Sequence, residues 1–320
     1  MKFFNLDCHT SVIADIKNIF ENLGHQVDTW SLSGHRWVFN LPECKSPIIN
    51  YNNWKNLDEK MVDNFYEFHK EELDKYDAFI CTHHIFFLKL FERFRKPIIV
   101  VASTRYEYPC FSYEKLIWLE DSLKNNSNLI LVANNQFDQK YCEKFLNNKW
   151  EWIPSLCEYT NVKYNKKYKN TILFSKFLIN LNIEDLIHQH SLGKYTWNDL
   201  YKYKSILHFP YNTSTMSIFE QSRAGVPLIF PSLNFALELI KNNFPIFSEI
   251  VFPNSLIQRQ KNLFLNEEWL KYSDFYNGTI QAEYFDSMQE MHSILNKNLN
   301  IKTINKNYIY EKWKLTLNRI

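Results

Sequence analysis

Short apolar runs alternate with amphipathic stretches along the whole chain. Lys2–Leu6 is the first such run and predicts a strand. Behind it Val12, Ile16, Ile19, Phe20 and Leu23 recur at helical spacing, which predicts a helix over Ser11–Asn22 with Gly24 as its C-cap. The same alternation continues. Strands are predicted at Val27–Ser31, Ala78–Thr82, Ile98–Ala102 (opened by Pro97), Leu129–Ala133 and Glu151–Ile153. Helices are predicted at Glu59–Lys75, Ile85–Phe94, Tyr113–Lys124 and Asn135–Leu146, the last capped by Asn134 or Asn135. Only residues 36–60, rich in Trp, Asn and Pro, break the rhythm.

From Ser155 to Lys169 periodicity is lost, and a second series then begins. It predicts strands at Thr171–Phe174, Ile206–Phe209 and Leu228–Phe230. Helices are predicted at Ile183–His190, Trp197–Tyr203, Met216–Arg223, Asn234–Asn242, Tyr284–Asn298 and 305–317, with an irregular stretch over 246–280. Strand–helix alternation implies parallel sheets with helices on their faces. The predicted organisation is therefore an α/β domain over 1–155, a linker over 156–169, a second α/β domain over 170–304, and a helix over 305–320 able to pack back on the first. A single large doubly wound sheet is the alternative.

Composition narrows the chemistry. A length of 320 residues suits about two domains. Only five glycines are present, and no Gly-rich phosphate motif occurs. The net charge of +2 argues for neither nucleic acid nor acidic partners. The six cysteines show no C-x-x-C spacing and read as buried free thiols in a reducing compartment. The first apolar run is too short for a signal peptide, and no run approaches the roughly 18 apolar residues of a membrane span. A cytoplasmic protein of a bacterium, a phage or a virus-infected host is expected.

In open parallel sheets ligands sit beyond the carboxyl ends of the strands. That rule selects Asp7 and His9 after the first strand, His35 after the second, His83 and His84 after the third, and Arg105 and Glu107 after the fourth. Four of the ten histidines fall on three of these loops. His9, with Asp7 two residues away to orient its ring, is a candidate general base; a partly exposed His9, with Asp7 or Ser11 merely capping the first helix, is the plainer alternative. Of the adjacent pair His83 and His84, one is expected to line the site, because neighbouring side chains on extended backbone point opposite ways. Arg105 can hold an anionic acceptor or a phosphate, and Glu107 is a second candidate base or a ligand for an acceptor hydroxyl; a surface Arg–Glu pair is the plainer alternative. No cluster has metal-ligand spacing, so no metal and no cofactor is expected.

In the second half, Leu207–Ser232 reads LHFPYNTSTMSIFEQSRAGVPLIFPS: strand, polar loop, helix, Gly225, Pro227, strand. This segment resembles the nucleotide-sugar-binding element of GT-B type glycosyltransferases, in which Glu, small residues, Gly, any residue and Pro precede a strand. ANNQFDQKYCEKFL (Ala133–Leu146), WEWIPS (Trp150–Ser155), SDFYN (Ser273–Asn277) and YFDSMQEM (Tyr284–Met291) are similar to other parts of that fold. The resemblance implies two Rossmann-like domains facing across a cleft, with the acceptor on the first and the donor on the second. It implies that Tyr211, Asn212, Ser214, Thr215, Met216 and Ser217 approach the donor, with the diphosphate at the helix start. It further implies that Lys176 faces the diphosphate, that Glu220 binds the ribose hydroxyls, and that His9 is the base. Retaining families carry a second Glu eight residues before the ribose binder. Here that position is Asn212, so an inverting reaction stays open.

The implied activity is metal-independent transfer of a sugar from a nucleotide-diphosphate donor to a glycan, a lipid, a small molecule or a modified nucleic acid. The alternatives are a non-hydrolysing nucleotide-sugar epimerase, a phage DNA-modifying glycosyltransferase using the Lys-rich stretches 163–169 and 296–306, and a non-catalytic binding or structural protein.

Overall fold

The structure is a computed structural model that describes all residues except 109, 111, 177–180, 182, 251–263 and 300–304. Expectations for parts of 246–280 and 296–306 therefore lie outside the described residues. Met1–Ser155 and Lys306–Ile320 form one compact unit, and the described residues from Leu156 to Asn305 belong to the other.

The first unit is built from β1 (Lys2–Asp7), α1 (Thr10–Asn22), β2 (Gln26–Ser31), α2 (Glu59–Leu73), β3 (Ala78–Cys81), β4 (Ile98–Ala102), α3 (Tyr113–Asn125), β5 (Leu129–Ala133), α4 (Gln136–Leu146) and β6 (Glu151–Trp152). Its six strands pair in parallel in the order β2-β1-β3-β4-β5-β6. All residues of β3 and β4 are buried, as expected of strands covered on both faces. The order reverses between β1 and β3, and such a switch point is where an open sheet offers a crevice. Two bonds tie the loops there together, Cys8 N–H to the His83 carbonyl at 2.7 Å and His83 N–H to Asp7 Oδ2 at 2.7 Å.

The second unit holds β7 (Thr171–Phe174), β8 (Leu186–His188), α5 (Trp197–Leu200), β9 (Ser205–His208), α6 (Met216–Ala224), β10 (Leu228–Pro231), α7 (Leu233–Lys241), α8 (Glu267–Leu270), β11 (Glu283–Phe285) and α9 (Met288–Leu295). Its five strands are also parallel, in the order β11-β10-β9-β7-β8. Counted from its own first strand, this is the same 2-1-3-4-5 winding as in the first unit, with the switch between β7 and β9. The last helix, α10 (Lys306–Leu317), returns to the first unit. There Trp313 packs edge-on against Phe20 at 5.1 Å, and Tyr310 accepts a hydrogen bond from Asn22 at 3.0 Å.

Four predicted elements differ. Ile85–Phe94 is not one helix but two short 3-10 helices, Ile85–Leu90 and Glu92–Phe94. Its first six residues are buried all round, so no solvent face selects a regular α-helix. The helix expected over Ile183–His190 is the edge strand β8, whose pairing with β7 outweighs local periodicity. α5 stops after one turn, and the helix expected from Tyr284 is β11 followed by α9, which Ser287 caps.

The aperiodic stretch after Ser155 is no loose tether. Tyr164 N–H reaches the Ala224 carbonyl at 2.8 Å, and Asn165 N–H the Tyr201 carbonyl at 3.1 Å. All six cysteines are free. No described helix is long and apolar enough to cross a membrane.

Candidate functional site

At the switch point of the first unit, three histidines converge. His9, the N-cap of α1, lies 5.4 Å from His83 by ring centroids, and His83 lies 4.0 Å from His84. The alternation expected of extended backbone does not apply to the pair, because both residues lie beyond the end of β3. Trp54 stacks on His84 at 4.6 Å and 17°, and Tyr108 lies 5.1 Å away. His9 is exposed but hemmed in by protein, which lowers its pKa below the usual histidine value. Burial lowers His83 well below that value and His84 to about 3. All three rings are neutral near pH 7.

Asp7 does not orient the His9 ring as expected. Its carboxylate accepts the backbone N–H of His9 at 2.5 Å and of His83 at 2.7 Å. Burial raises its pKa well above the usual carboxylate value, and the backbone amides of His83, His9 and Cys8 oppose that rise. Asp7 is fully buried and braces both histidine loops.

Arg105 and Glu107 are not a surface pair. Arg105 is buried and pairs with the buried Asp138 at 3.4 Å, over the Phe137 ring. Glu107 is buried and accepts a hydrogen bond from Tyr141. Asn135 caps α4 and also binds Asp138. This network holds β4 to α4, so the acceptor-holding role expected of Arg105 meets a guanidinium already committed inside the fold. His35 is exposed, and its backbone N–H bonds Ser33 Oγ.

In the second unit, α6 opens after β9 and the loop 209–214. Thr215 is its N-cap in extended conformation but makes no side-chain capping bond; its hydroxyl pairs with Ser217 Oγ at 3.2 Å. Neither α1 nor α6 has a side-chain cap or an acid in its first turn, whereas α2–α5 and α7–α9 are each closed by a side-chain cap. Gly225 ends α6 at φ +84°, a conformation for which glycine is favoured. In the loop, Asn212 Oδ1 accepts its neighbour Thr213 N–H at 2.8 Å. Lys176, just past β7, pairs with Glu249 and lies over the half-buried Tyr211 ring at 5.5 Å. Ser214 and Met216 sit at the loop end and the helix start.

Glu220 is buried, and both its oxygens accept from protein donors, Tyr159 Oη–H at 2.5 Å and Trp197 Nε1–H at 3.0 Å. A carboxylate open to two ribose hydroxyls was expected, so a ribose there must compete with these donors. Trp54, Tyr108, Tyr159, Trp197 and Glu249 carry no motif in the sequence and reach these places only through the fold. Among the described residues no group of three or more His, Cys, Asp or Glu side chains could hold a metal ion.

No family model and no curated protein matches the chain. Solved structures do. A protein from Listeria monocytogenes assigned as a UDP-N-acetylglucosamine 2-epimerase matches with a TM-score of 0.51 at 10% identity, over 99% of this chain and 95% of that one. The lipopolysaccharide outer core galactosyltransferase WaaB matches at 0.46 and 12% identity, over 100% and 99%. S. aureus MnaA, solved with UDP, matches at 0.43 and 13%, over 89% and 99%. At these identities the likeness speaks for the fold alone. Glycosyltransferases and UDP-N-acetylglucosamine epimerases are both among the neighbours. With parallel sheets of six and five strands in two Rossmann-like units, this chain has the GT-B fold.

Proposed function

We propose that the chain is an enzyme, a glycosyltransferase that takes its sugar from a nucleotide-diphosphate donor without a metal ion. The observation that carries this reading is the open start of α6 at the switch point of the second unit. A helix start with neither cap nor acid keeps its positive end for an anion, and a diphosphate leaving group is such an anion. Ser214, Thr215 and Ser217 would supply hydroxyl and amide donors around it, with Tyr211, Asn212 and Met216 beside them. Lys176 would turn from Glu249 to the diphosphate. These preorganised donors would stabilise the charge that develops as the sugar departs. In the first unit, neutral His9 would take the proton of the acceptor hydroxyl.

The epimerase alternative asks for carboxylates that reach the sugar. Asp7 and Glu107 are both buried and bonded within the fold, which favours transfer. A thermal-shift screen against nucleoside diphosphates and their sugars, with chelator present, tests the reading. Donor at 100 times its Kd should stabilise by about 2.7 kcal/mol. Product analysis then separates the outcomes. Release of nucleoside diphosphate with a glycosylated acceptor supports transfer, and duplex DNA as that acceptor would make the protein DNA-modifying. An epimerised sugar nucleotide marks an epimerase. No binding to any nucleotide would leave a non-catalytic protein and overturn the proposal.

A further inference from the structure

We propose that Nδ1 of His84 is the docking point for a hydroxyl group of a neutral, sugar-like acceptor, reached when the His83 ring turns aside. This rests on the transferase reading for what is done to that hydroxyl, but not for its binding.

His84 is 4% exposed, and its Nδ1 has no hydrogen-bond partner among the described residues. A buried polar atom without a partner is costly and calls for an explanation. The rest of the ring is fixed. Trp54 stacks on it, and the Tyr108 ring lies 5.1 Å away. With the single proton of the neutral ring on Nε2, Nδ1 is an acceptor nitrogen. An acceptor lacking a donor selects a ligand that brings an O–H or N–H.

His83 is the neighbour that has to turn for a ligand to reach Nδ1. Its ring is half-buried, 4.0 Å from His84, and makes no hydrogen bond to a described residue. Beyond it stands His9 at the start of α1, a helix with neither side-chain cap nor first-turn acid. Imidazole acceptors beside the positive end of a helix suit a group that both donates and accepts, which an alcohol does. The site offers little charge to an anionic acceptor. The three rings are neutral, Arg105 is committed to Asp138, and Lys55, over the Trp54 ring at 5.6 Å, is exposed to solvent and screened there.

The test uses methyl α-glucoside and methyl β-galactoside as probes, with their 6-phosphates as the anionic arm. Nitrogen-15 spectra of the histidine rings, assigned with single variants, follow His84 Nδ1 directly. Without probe it should resonate as an unprotonated nitrogen, and a methyl glycoside should shift it as it accepts a hydrogen bond. His84→Gln keeps a group near Nε2 but none near Nδ1, and should weaken glycoside binding about tenfold. His84→Asn, which places its amide near Nδ1, should recover part of that loss. Nucleoside diphosphate binding, measured on the same proteins, should not change. A protonated Nδ1, glycoside binding that leaves Nδ1 unmoved, unaltered affinity in a folded His84→Gln, or tighter binding of the 6-phosphates would each overturn the proposal. Glycoside binding at His84 in a protein that takes no nucleotide would leave it standing and remove the transferase reading instead.

Discussion

The two units wind their sheets in the same order and differ in what they place at the switch point. In the first, β1 and β3 end in loops that gather three neutral imidazoles, braced from below by a buried carboxylate. In the second, β7 and β9 end in a lysine held by a glutamate and in a hydroxyl-rich loop feeding an uncapped helix. One topology thus carries two chemistries. On the proposed reading the first set would move a proton, and the second would hold an anion. The difference lies in side chains at corresponding strand ends rather than in the scaffold.

The sharpest way to break this comparison is to remove the proposed base. His9→Ala should lower turnover by roughly 10²–10⁴-fold. Donor affinity, measured by calorimetry, should stay within about twofold if the units divide their labour as proposed. An equal loss of donor affinity would show that His9 serves the donor and that the division is wrong. Glu107→Ala is the control. It should act through stability, because Glu107 is buried against Tyr141.

Acid is the second probe. His84 is lowered to about 3 and, in the second unit, His208 to about 4 by burial beside Gln221. A histidine lowered in the folded state takes up its proton more readily when unfolded. Such a ring therefore costs nothing well above the unfolded value near 6.5, and stability falls as the pH drops below it. The loss should approach about 1.4 kcal/mol per pH unit for each ring until its folded value is reached. Urea unfolding between pH 7 and pH 5 measures it. His208→Gln should flatten the slope by about one ring's worth. An unchanged slope would mean that His208 is not held neutral.

Some of this was legible in the sequence, for identifiable reasons. Strands buried on both faces, such as Ile98–Ala102 and Leu129–Ala133, show as continuous apolar runs. The rule about strand ends named His9, His83 and His84, whose rings the fold brings together. What was hidden depended on pairing at a distance. β8 has only three half-buried residues, and its partner β7 lies earlier in the chain. Trp54 comes from an aperiodic stretch, and nothing in the sequence marks it as the stacking partner of His84. Asp7 was misleading. A carboxylate two residues from a histidine suggests a ring partner, whereas a buried one at a strand end is drawn to the backbone amides around it.

The braces of the two units give a third test. Asp7→Asn turns an amide N–H₂ toward a backbone N–H and should cost about 1–3 kcal/mol, with activity falling in step with the folded fraction. Tyr159→Phe in the second unit separates two roles for Glu220. If a ribose competes with Tyr159 for the carboxylate, the variant should bind nucleoside diphosphate more tightly, by about two- to fivefold, while losing about 1 kcal/mol of stability. If Glu220 only ties α6 to the Glu158–Thr160 turn, stability falls and affinity does not move.

The smallest expected change in stability addresses the open helix starts. Thr215 already has the extended backbone of an N-cap, yet its hydroxyl bonds the Ser217 side chain rather than a backbone N–H of the helix. Thr215→Asp should close α6 and set a negative charge against its dipole, so the unliganded protein should gain about 0.5–1 kcal/mol. The same charge would occupy the place proposed for the diphosphate, and nucleoside diphosphate binding should weaken at least tenfold, roughly 1.4 kcal/mol or more. A more stable protein that binds its ligand less well is the signature of a site left uncapped for function. Thr215→Asn sharpens the result, because it caps without charge. It should give a similar stability gain with a smaller loss of binding. A Thr215→Asp protein that is more stable and binds nucleotide unchanged would show that the start of α6 is open for no ligand. The contrast between a proton-moving first unit and an anion-holding second unit would then fail on its second term.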